Sequence, residues 1–307
     1  MRPWPPEGAL LDAPENRQAT SSPIALAEAA ARRRVLEAKA VKCGKDRALF
    51  VDLGCMAGVI ERDEGALGVK EGETRDVALL TRVGRPVQFV VTGFRTGPNG
   101  ERIAICSRRL AQRACVDTYL DSLVPGDAVP AVVTHSERFG AFCDVGAGVC
   151  ALLPVDCISV SRIRHPAERL IPGQKIRTLL KSRDALGRLT LTMKELLGTW
   201  DENAALIEAG ETVTGIVRGV EPYGVFVELT PNLAGLAEAR SDCVPGQGCV
   251  AYIKSVNPEK MKIKLSIVSL SDAPAPRTPL RYFSDAPHVD RFVYSPAECE
   301  RVVETVF

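Results

Sequence analysis

Phe139 and Phe142 flank Gly140, and Tyr223 and Phe226 repeat the arrangement around Gly224, 84 positions later. Two aromatic rings held side by side in water offer flat apolar faces on which unpaired bases stack. Side chains alternate across a strand. Within 140–145 one face therefore carries Ala141, Cys143 and Val145, and the other Phe142 and Asp144. In the echo, Val225, Val227 and Leu229 oppose Phe226 and Glu228. The small apolar set suits the inside of a narrow barrel. A large ring left beside an acid on the outer face, twice at one place, is the informative kind of exposure. A strand glycine marks a bulge or bend, which brings Phe139 and Tyr223 onto the face of the second ring. The same pattern also fits rings that cover apolar surface against a neighbouring domain.

The elements that position these rings recur with them. Residues 126–133 and 210–217 precede the two copies, and Pro172-Gly173 and Pro245-Gly246 follow them. Each copy closes on an alternating strand, 188–193 and 262–267. Four blocks in one order, twice, make a repeat. A third, blurred copy occupies 39–109, where Phe50 and Asp52 stand for Phe142 and Asp144 and Asn99-Gly100 marks a hairpin. Arg47-Ala48 replaces the aromatic-glycine pair there, so a structural or protein-contacting role suits this copy better than base stacking.

Five short strands with an aromatic-Gly-x-Phe second strand resemble the S1-type RNA-binding domain, an oligonucleotide-binding (OB) barrel. The resemblance covers roughly 125–195 and 210–270. It implies that Phe139 and Phe142, and then Tyr223 and Phe226, are the RNA-stacking rings. It assigns Asp184 and Arg188 to the family's acid and arginine at the last turn. In the later repeat Lys262 takes the arginine position and Pro258 the acid position, while the family's histidine position reads Pro154 and Glu238. Lys181, Arg183, Arg188, Lys254 and Lys262 are the expected phosphate contacts. The whole arrangement is similar to short bacterial relatives of ribosomal protein S1. That likeness implies single-stranded messenger RNA and the small ribosomal subunit as partners in the cytoplasm. The rival is a non-catalytic scaffold that docks barrel faces on the ribosome or on an RNA-processing enzyme.

The resulting fold class is mainly β with linking helices: tandem five-stranded OB-type barrels, one degenerate and two clear. Residues 1–38 are expected to be a flexible N-terminus and a helix, and 39–112 the degenerate barrel. A linking helix and the first clear barrel take 113–195, a second linking helix and barrel take 196–270, and a linker with a docked tail takes 271–307. Ser22-Pro23 signals the start of a helix expected over 24–38. Further helices are expected over 110–123 and 194–208 and from about Ser295-Pro296. Residues 1–21 read as irregular. Trp200, on a helical stripe with Leu196, Ala204 and Ile207, reads as packing rather than stacking.

Composition excludes more than it selects. The net charge of +1 opposes a strong non-specific nucleic-acid binder, yet 125–195 carries ten basic against seven acidic residues, while 210–269 is balanced. No apolar run approaches a membrane span. The ten cysteines form no C-x-x-C, and with no secretory leader at the start they read as reduced thiols. His165 lacks acid or cysteine partners at ligand spacing. No phosphate-binding loop, dinucleotide fingerprint, zinc-protease or nucleophile-elbow motif is present, so neither catalysis nor a cofactor or metal is expected. The triplet Arg32, Arg33 and Arg34 fits RNA contact or, more simply, a solvated face.

Overall fold

The computed structural model describes residues 3–275 and 277–307. Among them are three closed five-stranded barrels of one connectivity. The first comprises β1 (Val35–Cys43), β2 (Leu49–Asp52), β3 (Ala57–Ile60), β4 (Pro86–Thr96) and β5 (Arg102–Ser107). The second comprises β6 (Ala128–Glu137), β7 (Gly140–Asp144), β8 (Cys150–Pro154), β9 (Lys175–Arg183) and β10 (Leu189–Thr192). The third comprises β11 (Thr212–Glu221), β12 (Gly224–Thr230), β13 (Leu233–Ala237), β14 (Gln247–Asn257) and β15 (Lys262–Pro274). Each closes in the order first, second, third, fifth, fourth strand, with the third and fifth strands parallel. Closure leaves no open sheet edge.

Contacts divide the chain into two compact units. One holds the residues up to 123 together with 144–150; the other holds 124–143 and 151–307. In the first unit, α1 (Pro14–Thr20) and α2 (Pro23–Ala31) precede the barrel, α3 (Val77–Leu80) interrupts it and α4 (Arg108–Thr118) follows it. Leu26 and Ala29 of α2 join Leu36, Val51, Phe89 and Cys106 in one buried core. Ser22 caps α2 by accepting from Ala25 N at 3.2 Å, with Pro23 in the first turn.

The segment before α2 is not irregular. α1 is helical, and Glu7 pairs with the buried Arg108 at 2.6 Å. α2 stops at Ala31 rather than 38. Arg33 adopts a left-handed φ of 49°, and Val35, instead of continuing the helix, starts a strand paired with β4. Strand pairing, with Leu36 and Ala38 buried on one face and the hydrogen-bonded Glu37 buried on the other, overrides local helix propensity here.

In the second unit, the expected helix over 194–208 is a 3-10 turn (Lys194–Leu197), a break at Gly198 and the short α5 (Trp200–Ala204). Gly198 has φ 87°, a conformation that ends a helix and favours glycine. Leu196, Trp200 and Ala204 are all buried. The C-terminal segment contains no helix near Ser295; it forms a small sheet of β16 (Arg291–Val293) and β17 (Glu304–Val306). Before that sheet, Val289 N donates to Gly126 O at 3.0 Å and Ala128 N to Pro287 O at 2.8 Å. Between its two strands, Tyr294 enters the core of the third barrel and its hydroxyl donates to Asn232 O at 2.5 Å.

Candidate nucleic-acid interface

The two ring pairs sit at the tips of the first hairpins of the second and third barrels. Phe139 and Phe142 meet edge to face, with centroids 5.8 Å apart and planes at 89°. Tyr223 and Phe226 do the same at 6.2 Å and 88°. Phe139 is 57% exposed, Tyr223 67% and Phe226 37%, and Phe142 is half-buried. Ala141, Cys143, Val225 and Val227 point inward and are fully buried. The glycine between the rings has a steric cause. A Cβ on Gly140 would stand 2.6 Å from Leu153 O, and one on Gly224 2.5 Å from Ala237 O. Only glycine lets the neighbouring strand approach so closely where the chain turns the first ring outward.

A third ring joins the second barrel. The exposed His135, on β6, lies parallel to Phe142, with centroids 4.5 Å apart and planes at 13°. The sequence pattern does not single out His135, because its counterpart 84 positions on is Gly219. Gly219 pairs with Phe226 in register.

Charged residues frame the rings unevenly. Asp184 accepts from Leu186 N and Arg188 N, each at 2.9 Å, and from Arg188 Nε at 2.7 Å. These bonds, the Arg188 backbone N–H first, hold the Asp184 carboxyl below the usual range. Arg188 is therefore tethered to the β9–β10 turn, and Arg183 pairs with Leu189 across that hairpin. Lys181 Nζ sits 3.1 Å from Cys157 Sγ, a contact that raises the ammonium above the ordinary lysine range. In the third barrel Lys254 pairs with Glu238 at 2.5 Å, which holds the Glu238 carboxyl below its usual range. Glu238 thus neutralises an expected phosphate contact. Lys262 is exposed where β15 begins, opposite Asn257.

Register adds Lys264 to this face. Phe226 pairs with Leu236, and Leu236 pairs with Lys264. One row across three adjacent strands thus carries ring, aliphatic side chain and ammonium, with about 5 Å between neighbouring strands. Leu236 and Lys264 are both exposed.

The acids beside the second rings are not surface groups. Asp144 is buried, accepting from Glu7 N at 2.8 Å, Gly146 N at 2.8 Å and Gly148 N at 3.0 Å. Glu228 is buried between Arg169, which grips it through two nitrogens at 2.6 and 2.5 Å, and Arg218 at 2.6 Å. Two of these partners, Glu7 and Arg169, lie 137 and 59 residues away along the chain, beyond the reach of local pattern. Trp200 belongs to the third barrel's core and offers no face to a base.

The first barrel retains the single ring Phe50, with Lys42 Nζ 5.8 Å from its centroid. The shallow pocket beside Phe50 is lined by Asp46, Glu61 and Asp63 as well as Arg62 and Arg95. Arg62 is bound to Asp76 at 2.8 Å and Arg95 to Glu61 at 3.4 Å. That balance offers little to a phosphate chain.

Residues 123–194 match the family model described as the S1 RNA binding domain. The chain is 32% identical over 186 residues to the small ribosomal subunit protein bS1 of Leuconostoc lactis, covering 56% of this chain and 43% of that protein. It is 36% identical over 137 residues to the bS1 homolog of Bacillus cereus, covering 41% and 36% respectively. The chain thus spans less than half the length of these relatives. A multidomain protein with nucleic acid binding domains from Streptococcus pneumoniae aligns over 77% of this chain and 74% of its own, at 15% identity and a TM-score of 0.26. The second barrel thus matches the S1 RNA binding domain model, and the chain around it is similar to part of bS1.

Proposed function

We propose that this protein binds single-stranded RNA by stacking bases on Phe139, Phe142 and His135 in the second barrel and on Tyr223 and Phe226 in the third. Lys181, Arg183, Arg188, Lys262 and Lys264 supply the cationic surround, Lys254 being paired with Glu238, and Asp184 holds Arg188 in place. One observation carries this reading: the same exposed edge-to-face ring pair is built twice, at matching distance and angle, in barrels of identical topology. An exposed aromatic cluster that a barrel holds at one place and rebuilds in the next is a binding surface. Stacking on it tolerates any base, so sequence preference is low.

The likeness to bS1 supports messenger RNA as the ligand, the small ribosomal subunit as the setting and the bacterial cytoplasm as the location. The role is binding without catalysis. No helix among the described residues is long and apolar enough to cross a membrane. For the first barrel a second reading is favoured. The lone Phe50 among acids that already hold the nearby arginines suits a protein-docking or spacing role better than RNA stacking.

Fluorescence anisotropy of a labelled single-stranded RNA, at low and physiological salt, tests the proposal. Binding should weaken with salt and fall in Phe139→Ala/Phe142→Ala and in Tyr223→Ala/Phe226→Ala, with circular dichroism confirming the fold. Absence of binding by the wild-type protein would overturn it, leaving the docking role to be pursued by partner capture.

A further inference from the structure

We infer that the arginine-lined cleft where the long connection of the second barrel meets the third barrel is a seat for RNA backbone phosphates. The inference deepens the RNA-binding reading and rests on it. The cleft, about 570 Å³, is lined by Arg162, Arg164, Glu168, Arg218 and Arg277 among others.

Its charges do not cancel. Two carboxylates are present, Glu228 behind the cleft and Glu168 on its wall, and two arginines satisfy them. Arg169 and Arg218 grip Glu228, and Arg218 also bonds Glu168. Arg162, Arg164 and Arg277, all exposed, add three positive charges that neither of these carboxylates offsets. Guanidinium groups converging on one recess match phosphate oxygens in shape as well as charge.

The wall is built rather than loose. His165 and Glu168 form a reciprocal cap: His165 Nδ1 accepts from Ala167 N at 3.0 Å, and Glu168 Oε1 accepts from His165 N at 3.1 Å. The same Oε1 accepts from Arg164 N at 2.8 Å, fixing the backbone that carries Arg164. Arg277 reaches the wall from the C-terminal segment, its Nε donating to Ala167 O at 2.8 Å.

Placement says which anion this is. Phe226 and Glu228 lie on the same face of β12, two residues and so about 7 Å apart. Arg218, bonded to Glu228, lines the cleft. The recess therefore adjoins the Glu228 end of the strand that carries Phe226, within reach of the backbone of a strand stacked on Tyr223 and Phe226. A phosphodiester chain leaving the rings meets three uncompensated guanidinium groups.

The test is the salt dependence of RNA binding by the whole chain, read by anisotropy with an oligouridylate probe. Every phosphate of a single strand that the protein ceases to neutralise should flatten the slope of log K against log salt by about 0.7. Arg162→Gln/Arg164→Gln/Arg277→Gln should flatten it by about 2 in total, with thermal melting unchanged. Tyr223→Ala/Phe226→Ala should lower affinity at every salt with little change of slope. Arg32→Gln/Arg33→Gln/Arg34→Gln, which removes the same charge elsewhere, should leave the slope intact. An unchanged slope in the cleft variant, or equal flattening in the control, overturns the inference while the RNA reading stands. A wild-type protein that binds no RNA overturns that reading itself. Orthophosphate at constant ionic strength should compete more strongly with wild-type than with cleft-variant binding, because it occupies the same guanidinium seat. Equal competition with both would place the phosphate contacts elsewhere and overturn the inference.

Discussion

The imidazole of His135 covers one face of the Phe142 ring, parallel to it at 4.5 Å, whereas the matching Phe226 stands over the bare Gly219. The two barrels therefore present different platforms from one frame: three rings in the second, two in the third. A base approaching Phe142 from that side meets the imidazole plane first. His135→Ala should cost about 1–3 kcal/mol of RNA affinity if one base stacks there. In a double-mutant cycle His135→Ala and Phe142→Ala should be non-additive, because the rings act as one stack. Additive losses, or none for His135→Ala, would remove the imidazole from the platform.

The converse change tests the same geometry. A Cβ on Gly219 would lie 3.7 Å from Phe226 Cδ2, an ordinary contact. Gly219→His therefore has room at its first atom to build the missing third ring. It should strengthen RNA binding by the third barrel, measured in a Phe139→Ala/Phe142→Ala background so that the second barrel is silent. Weaker binding with the fold intact would show that the open face of Phe226 is itself the base seat.

The ring pairs, their glycines and the barrel frame were legible in the sequence because a repeat writes each twice. The strict period of two in β7 and β12 also fixes which side chains face inward. His135 was not legible for the same reason inverted: its counterpart is glycine, and comparing repeats discards what only one copy has. Asp144 and Glu228 sit on the outer face as strand parity requires, yet parity is silent about what covers that face. Glu7 and Arg169 bury them through contacts distant along the chain. The helix expected near Ser295 failed similarly. Arg291 and Val306 pair across a 15-residue separation, and that pairing outweighs the Ser-Pro start signal.

The glycine between the rings should resist substitution for a stated reason. Gly140→Ala places a methyl 2.6 Å from Leu153 O, and Gly224→Ala places one 2.5 Å from Ala237 O. Both neighbours are strand backbone, which cannot swing aside. Each change should destabilise its barrel by about 1–3 kcal/mol and weaken RNA binding beyond the stability loss, because the first ring turns with the bend. Urea unfolding and anisotropy on the same variants separate the two effects. Wild-type stability in either variant would show that the close approach is not needed.

Glu228 ties the second unit together. Burial pushes its carboxyl up, but hydrogen bonds and charge from Arg169 and Arg218 more than offset this and hold it below the usual range. Arg169→Met leaves a buried carboxylate with one partner fewer and should cost about 3–5 kcal/mol of stability. The sign with pH follows from the lowered value. The stabilisation is complete above the ordinary glutamate range, near pH 4.3, and is lost as pH falls through the depressed folded-state value. An acid unfolding curve that is the same for wild type and Arg169→Met/Glu228→Leu would refute this role.

Asp144 has the opposite sign. Burial first, and the nearby Glu7 charge second, push its carboxyl up to about 6, against the lowering effect of the Glu7 and Gly146 backbone N–H groups and Arg108. The unfolded chain releases this proton near pH 3.9. Between the two values the folded protein holds a proton that the unfolded protein has lost, so Asp144's contribution to stability falls as pH rises from about 4 to about 6 and is level above that. The loss is on the order of 2–3 kcal/mol. The buried Glu37, also raised chiefly by burial, adds a change of the same direction in the same unit. Asp144→Asn should remove only the Asp144 part, leaving a shallower decline. The check is urea unfolding of wild type and Asp144→Asn at pH 5 and pH 7.5, followed by hydrogen exchange at Gly146 and Gly148, whose amides report this unit directly. Equal pH slopes in the two proteins would mean that Asp144 ionises in the folded state as easily as in water. Its hydrogen bonds from Glu7, Gly146 and Gly148 would then outweigh its burial.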